Sequence, residues 1–425
     1  MSNQYTPLKE MAANCSFCGA CHAVCPVFSK LAVESSCARG RLFQARFLSD
    51  ERLKANEHLA ETITKCTLCQ ACAARCSTGI KTTDIFMRLR KEIYGEVPMP
   101  LAKRVAFTWL TYRRLFDACL SFGAPFQSLL FRPKDDGAGH VSRFPIPAAG
   151  LNLRRVVPRL ASKPLRRLVP EVSRPATGSI KARVAFFPGC MLSYMYPQAG
   201  KALLGVLVKN GAEVHIPKKM VCCGTPAITS GDFGVGKVLA EVNVNIMASE
   251  RYDAIITGCA TCATALSHEY GMVLENSPAL GKWDALKGKV QDFTTFLCKL
   301  GYSKDFRDVK RRVTMHDPCH LVRGMKVSKE PRELVKAIPG VTFVEMADAD
   351  KCCGCAGSFS AQYYELSRQI NDDKIDSIDK THADLTVTGC SACRMHIVDG
   401  LSQRGLSCEV THTAELIARG YGLSV

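Results

Sequence analysis

The chain is 425 residues long, with 23 cysteines and 56 Lys and Arg against 39 Asp and Glu, a formal net charge of +17. That length supports two or three domains with real cores, and an odd cysteine total in a chain too long to need staples excludes a simple disulfide scaffold. The charge predicts an anionic partner, while the longest uncharged run of the most apolar stretch, the 14 residues 118–131, falls short of the roughly 18 to 20 apolar residues that span a bilayer.

The start, Met1-Ser2-Asn3-Gln4-Tyr5, lacks the basic and apolar blocks of a secretory signal, so a reducing, cytoplasmic setting is expected. Clustered cysteines there mean metal or redox chemistry. Residues 1–97 carry two such clusters, Cys15-x2-Cys18-x2-Cys21-x3-Cys25-Pro26 and Cys66-x2-Cys69-x2-Cys72-x3-Cys76-Ser77. Three cysteines at steps of three wrap one 4Fe-4S cubane, and the fourth, carried away by a longer step, ligates the other cluster in two-cluster ferredoxins. The expected sets are therefore Cys15, Cys18, Cys21 and Cys76 for one cubane, and Cys66, Cys69, Cys72 and Cys25 for the other. Zinc is the competing reading of CxxC pairs, but this rhythm, given twice, overfills a zinc site. Apolar residues three and four apart over Arg39–Leu53 and Asp84–Tyr94 predict an amphipathic helix after each run.

Residues 98–182 form a basic connecting segment. From Pro98 to Ala182 there are 15 Lys and Arg against 4 Asp and Glu, which is +11 of the +17. Leu101–Phe122 reads as one amphipathic helix carrying Phe107, Trp109 and Phe116 beside Lys103, Arg104, Arg113 and Arg114. After it, Pro133, Pro145, Pro147, Pro158, Pro164, Pro170 and Pro175 break any long element. An anionic membrane surface, a partner subunit and plain solvation are the three readings of this segment; no recognition motif points to nucleic acid.

From Arg183 on, the chain is duplicated. "RVAFFPGC" ending at Cys190 matches "RVTMHDPC" ending at Cys319, "VCCG" at 221 matches "KCCG" at 351, and "AIITGCATC" at 254 matches "LTVTGCSAC" at 385, at offsets of 129, 130 and 131 residues. "VQDFTTFLCKLGY" from Val290 likewise resembles "VTHTAELIARGYG" from Val410. Predicted strands at Val184–Phe187, Glu213–Ile216 and Ala254–Thr257, and at Val313–His316, Val341–Glu345 and Leu385–Thr388, alternate with helical stretches. The pattern indicates two parallel α/β domains, 183–305 and 306–425. Each motif cysteine then follows a strand, at the carboxyl edge where open α/β sheets bind ligands.

The two sets are Cys190, Cys222, Cys223, Cys259, Cys262 and Cys319, Cys352, Cys353, Cys390, Cys393. Five thiolates exceed the four that one zinc accepts, and adjacent cysteines suit a polynuclear centre with a bridging sulfur. Gly224 and Gly354 allow a positive φ at the turn. Of the remaining cysteines, Cys355 is a candidate ligand or redox thiol, or an inert neighbour, whereas Cys119, Cys298 and Cys408 read as core. His22, His316 and His320 are candidates to tune a potential or relay a proton, against a packing role. Gly231-x2-Gly234-x-Gly236 has the wrong spacing for a dinucleotide loop and reads as a helix start, and no phosphate-binding loop or nucleophile elbow occurs. The chain is expected to carry electrons and to bind neither flavin nor oxidisable substrate.

A two-cluster ferredoxin module ahead of tandem Cys-Cys-Gly domains resembles the iron-sulfur subunits of glycolate oxidase, of respiratory lactate dehydrogenases and of anaerobic glycerol-3-phosphate dehydrogenase. Cys37-Ala38-Arg39-Gly40-Arg41 resembles the Pro-Arg-Gly-Arg segment of the glycolate and lactate enzymes, with Cys in place of Pro. The Cys-Cys-Gly domain is shared with heterodisulfide reductase, where such sets hold noncubane 4Fe-4S clusters. The resemblance implies a helical two-cluster ferredoxin module followed by two parallel α/β domains. As cofactors it implies two 4Fe-4S cubanes and one or two noncubane 4Fe-4S clusters. As partners it implies an FAD-containing dehydrogenase subunit and a quinone or other acceptor, at the inner face of the cell membrane. The alternatives are a heterodisulfide reductase-like catalytic subunit and the iron-sulfur subunit of an anaerobic glycerol-3-phosphate dehydrogenase.

Overall fold

The computed structural model describes residues 4–146, 150–176 and 178–424; Met1–Asn3 and Pro147 lie outside the described residues. The amino-terminal region is helical, with its cysteine runs in the loops between Thr6–Met11, Ala38–Ser49, Glu57–Thr64 and Thr82–Glu96. The Cys37 sulfur caps the second of these helices by accepting from the Gly40 N–H at 3.5 Å, and the Asn56 side chain caps the third by accepting from the Leu59 N–H at 2.9 Å. Leu42, Leu48, Ile63, Phe86, Leu89 and Ile93 are buried between them. This core runs without a break into that of the first Cys-Cys-Gly domain.

The expected single helix over 101–122 is two helices, Leu101–Trp109 and Arg113–Leu130. Thr108 and Thr111 turn their hydroxyls onto the carbonyls of Arg104 and Thr108, at 3.0 and 2.7 Å, and so compete with helix continuation at the break. The Pro-rich stretch holds a two-stranded antiparallel hairpin, β1 (Phe131–Pro133) and β2 (His140–Ser142), with Pro133 in a strand that has only one neighbour. Arg155 then ties the segment to the last domain, donating to the Ser360 carbonyl at 2.9 Å and to its hydroxyl at 3.0 Å.

The duplication is visible in the sheets. The strands β3 (Val172–Ser173), β4 (Ala182–Phe186), β5 (Ala212–His215), β6 (Ala254–Thr257) and β7 (Val290–Asp292) are ordered β3-β5-β4-β6-β7. The strands β8 (Arg311–Met315), β9 (Val341–Phe343), β10 (Leu385–Thr388) and β11 (Glu409–His412) are ordered β9-β8-β10-β11. Apart from the antiparallel β3, every pairing is parallel and both copies share one strand order. The six expected strands are present, two of them with the expected bounds. Each copy adds a fourth strand, β7 or β11, inside the segment that the sequence marks only by its repeat. These strands are short and mixed in polarity, so period-two alternation does not reveal them.

The copies pack about a pseudo-two-fold axis. Helix Pro197–Lys209 lies on Thr413–Gly420, and Phe293–Leu300 lies on Lys329–Lys336. Phe186 and Leu203 of the first copy share one buried core with Met315 and Leu416 of the second.

Candidate metal centres

In both copies the first and third strands are central, and the chain leaves them in opposite directions across the sheet, which opens a crevice at their carboxyl ends. All ten Cys-Cys-Gly cysteines line one cavity of about 220 Å³ there, together with Cys66 of the ferredoxin module and Cys355. The loops are built alike. Gly224 and Gly354 take φ of +83° and +86°, and a Cβ on Gly354 would stand 2.5 Å from the Ser367 carbonyl oxygen. Two buried asparagines, which the sequence does not single out, hold the paired cysteines: Asn243 donates to the Cys222 carbonyl at 3.0 Å, and Asn371 to the Cys353 carbonyl at 2.9 Å.

Sulfur-to-sulfur hydrogen-bonding contacts join each set. In the first, Cys190 meets Cys222, Cys222 meets Cys223, Cys223 meets Cys262 and Cys262 meets Cys259. In the second, Cys319 meets Cys352, Cys353 meets Cys393 and Cys393 meets Cys390. One further contact, Cys259 to Cys390, bridges the two sets, and another, Cys69 to Cys352, reaches the ferredoxin module. The contact with Cys222 and then that with Cys262 hold Cys223 well below the usual thiol range, and the contact with Cys393 does the same for Cys353. Neighbouring Cys222 and Cys393 are pushed the other way, Cys222 by its contacts with Cys190 and Cys223 and Cys393 by its contacts with Cys353 and Cys390. Buried sulfurs this close cannot all ionise unless cations stand among them.

In the ferredoxin module, Cys15, Cys18, Cys21, Cys72 and Cys76 line one small hollow. Cys25 faces Cys66 and Cys69 instead, and its thiol is pushed up to about 11 by burial, with the charge of those two adding. Cys76 thus lies beside the first cysteine run and Cys25 beside Cys66 and Cys69, while Cys72, expected with the second set, lines the hollow of the first. Cys37, set aside by the sequence, pairs with the His22 Nε2 at 3.0 Å and hydrogen-bonds Cys21, which lowers that thiol to about 6.

The donor set fits iron-sulfur clusters on a second observation, the buried cations around it. Arg41 is 1% exposed and donates to the carbonyls of Ser36 and Lys65 at 2.5 and 2.6 Å, while its Nε has no partner among the described residues. Arg90 is buried and donates to the carbonyls of Ile63 at 3.1 Å, Thr64 at 3.3 Å, Cys66 at 2.9 Å and, across the domain boundary, Thr229. Neither has a carboxylate partner among the described residues, and buried charge of one sign calls for the other. Clusters held by thiolates supply negative charge beside them. Gly231 has a packing role that its helix-start reading does not convey: a Cβ there would stand 2.7 Å from the Arg90 carbonyl carbon, so only glycine lets helix Thr82–Glu96 approach.

Other groups border the sulfurs. Glu269 is buried, accepts from the Thr225 hydroxyl at 3.3 Å, and is pushed up to about 8 by burial, with Cys223 adding. Burial pushes the Cys355 thiol up to about 12 and brings Lys103, at the cavity wall, down to about 8. His320 is held by the Thr261 hydroxyl at 3.2 Å across the two copies. Cys119, Cys298 and Cys408 are half-buried and line neither this cavity nor the ferredoxin hollow.

Comparison with known proteins agrees with this arrangement. A family model described as a cysteine-rich domain matches residues 184–267 and 313–398, and a 4Fe-4S dicluster domain matches residues 11–80. A probable glycolate oxidase iron-sulfur subunit of Bacillus subtilis (strain 168) is 30% identical over 431 residues, covering 96% of this chain and 94% of that protein. A lactate utilization protein A 1 of Bacillus mycoides is 31% identical, over 55% of this chain and 96% of that protein. One subunit of a fumarate reductase (CoM/CoB) of Methanothermobacter marburgensis is 37% identical, but the match spans 56% of this chain and 47% of that protein.

Proposed function

The chain belongs to the family of the glycolate oxidase iron-sulfur subunits, and from that premise we propose that it is the electron-transfer subunit of an FAD-linked dehydrogenase of a small 2-hydroxy acid, lactate or glycolate. A separate flavoprotein subunit takes two electrons from the substrate, and this chain passes them singly toward a quinone or another carrier. The observation that carries the reading is the unbroken line of cysteine sets. Cys15, Cys18, Cys21 and Cys76 lead to Cys25, Cys66, Cys69 and Cys72, then through Cys69 and Cys352 to the second Cys-Cys-Gly set, and through Cys390 and Cys259 to the first. We assign 4Fe-4S cubanes to the first two sets and noncubane 4Fe-4S clusters to the other two. Bound clusters supply one-electron redox chemistry; the chain's own groups fix their spacing, exclude water and set potentials through burial and hydrogen bonds to sulfur. Arg90 and Arg41 balance charge at the junction.

No helix among the described residues is long and apolar enough to cross a membrane. The proposed seat is the inner face of the membrane, through the helices Leu101–Trp109 and Arg113–Leu130. Leu101 and Phe122 are each 75% exposed and Leu129 is 66% exposed, flanked by the basic residues of the segment, which suits an anionic lipid surface.

A second reading, reduction of a disulfide at a Cys-Cys-Gly centre, is favoured by the shared cavity, whose wall reaches Lys103, Ser358 and Gln362 beside the sulfurs. One experiment separates the two. The anaerobically reconstituted chain is mixed with the flavoprotein subunit of a lactate or glycolate dehydrogenase and titrated with lactate and glycolate. Reduction of its clusters by either acid is expected. Clusters that stay oxidised, with turnover of a disulfide by the isolated chain given an artificial donor, would overturn the proposal in favour of the second reading.

A further inference from the structure

The duplication has one chemical mismatch at the sulfur edge. The residue directly after the first strand of each copy is Phe187 in one and His316 in the other, 129 positions apart and in register with the matched cysteines. Both side chains are buried, Phe187 fully and His316 to 1% exposure. Phe187 carries only hydrocarbon, whereas His316 lines the cysteine cavity. His316 has two nitrogens, and their surroundings differ.

The Nδ1 atom lies 3.1 Å from the Ala349 carbonyl oxygen. A carbonyl only accepts, so Nδ1 carries the proton and Nε2 is left with a bare lone pair. That carbonyl is held in place, since it also accepts from the Asp317 N–H at 3.0 Å and from the Lys374 ammonium at 3.2 Å. Nε2 itself is buried and finds no oxygen or nitrogen partner among the described residues; its contact is with the Cys353 sulfur. What it does have is sulfur: Nε2, the Cys353 Sγ and the Cys393 Sγ all lie within 4.8 Å of one another. A nitrogen lone pair and two sulfurs gathered this closely, in a buried place with no oxygen or nitrogen partner, form a donor set that suits a metal ion. Histidines that bind metal show this same arrangement, with the remote N–H fixed by a backbone carbonyl and the near nitrogen presented to the ion. Imidazole is an accepted donor to iron and replaces cysteine in some iron-sulfur centres, where it raises the potential.

We propose that the Nε2 of His316 is a ligand to an iron of the second Cys-Cys-Gly centre, beside the five cysteines of that set, and that the first centre has no such ligand. The inference rests on the iron-sulfur reading above. It makes the two centres chemically different within a symmetric frame, with the second the one that touches Cys69.

The test uses the whole chain, grown with 15N-histidine in one preparation and natural-abundance histidine in another, and loaded anaerobically with iron and sulfide. Iron is counted, the sample is poised electrochemically, and each paramagnetic state is read by pulsed electron spin resonance. One cluster signal is expected to carry a strongly coupled, directly bonded histidine nitrogen that changes with the label. His316→Phe, which puts the first copy's residue into the second, is expected to remove that coupling and move the potential of that signal alone. Full iron loading without a directly bonded histidine nitrogen, or a coupling that survives in His316→Phe, overturns the proposal while leaving the iron-sulfur reading intact. Failure of the native chain to load the Cys-Cys-Gly sets overturns both. Should His316→Phe not load its second centre, the coupling in the native chain decides the matter alone.

Discussion

Arg90 is the residue whose loss should be felt most widely. Its guanidinium is buried at the seam between the ferredoxin module and the first Cys-Cys-Gly domain, and it donates to the carbonyls of Ile63, Thr64 and Cys66 on one side and Thr229 on the other. Replacing it by methionine keeps much of the length and removes every donor, which leaves four buried acceptors unmet. Hydrogen bonds from a charged group contribute about 1.5 to 3 kcal/mol each and do not add, so a loss of about 3 to 5 kcal/mol is expected. For domains of this size a kilocalorie moves the unfolding midpoint by roughly 2 to 4 °C, and the drop should be on the order of 10 °C in the loaded protein. Arg90→Lys keeps the charge but not the planar fork, and should fall between the two. Thermal unfolding of anaerobically loaded protein, followed by circular dichroism and by cluster absorbance, gives the measurement. If Arg90→Met unfolds within about 1 kcal/mol of the native chain, the seam is held by apolar packing and the reasoning fails.

Four further outcomes follow from the site. Cys76→Ser should bleach the same cluster signal as Cys15→Ser, and Cys25→Ser the other, each lowering the iron content by about four per chain; loss of one signal from both Cys25→Ser and Cys15→Ser would refute the exchanged ligands. Gly354→Ala should cost more than Gly224→Ala, because both carry the left-handed backbone penalty of about 1 to 2 kcal/mol but only at Gly354 does the new methyl meet a carbonyl, that of Ser367, at 2.5 Å; equal denaturation midpoints would contradict this. Glu269 titrates near 8 in the folded chain against an ordinary 4.5, so the native protein loses stability as pH rises between those values. Glu269→Gln does not titrate, and its advantage in melting temperature should grow from pH 5 to 8 and then level off; a pH-independent difference would refute it. Serine at Trp109, Phe122 and Phe126 should weaken sedimentation with vesicles containing anionic lipid, and salt should weaken binding of the native chain.

Features that arise from spacing along the chain are legible before any coordinates. The rhythm of Cys15 to Cys25 and Cys66 to Cys76 implies shared ligands, and the offsets of the duplicated motifs imply parallel domains with their cysteines on one edge. Features that arise from long-range placement are not. Arg90 reads as one charge on an amphipathic helix until Thr229, 139 residues away, supplies a carbonyl. Asn243 and Asn371 read as ordinary polar residues in helices, and only the fold brings them to the cysteine loops. Cys37 stands out in the sequence as a proline replacement, but its contact with Cys21 requires the turn that brings residues 34 to 40 back over the first cysteine run. The break at Leu110–Tyr112 is hidden because hydrophobic periodicity continues across it, while two threonines decide it locally.

The duplication also explains why the cysteine sets meet at all. The helices that cover one sheet face of each copy, Pro197–Lys209 and Phe293–Leu300 in the first and Lys329–Lys336 and Thr413–Gly420 in the second, are buried in turn against those of the other copy, in the core that joins Phe186 and Leu203 to Met315 and Leu416. Because burial of this shared core holds the copies together, their carboxyl edges are obliged to face each other, and Cys259 and Cys390 come into contact as a consequence of packing. A symmetric frame of this kind gives two equivalent centres and no preferred direction between them. Direction requires a difference close to the metal, where the frame tolerates it without repacking. Phe187 and His316 are such a pair: both buried, both directly after a first strand, one purely hydrocarbon and one with a nitrogen facing sulfur. Exchange of these two residues alone is therefore predicted to move the potentials of the two centres in opposite senses, and potentials unchanged by the exchange would place the asymmetry elsewhere.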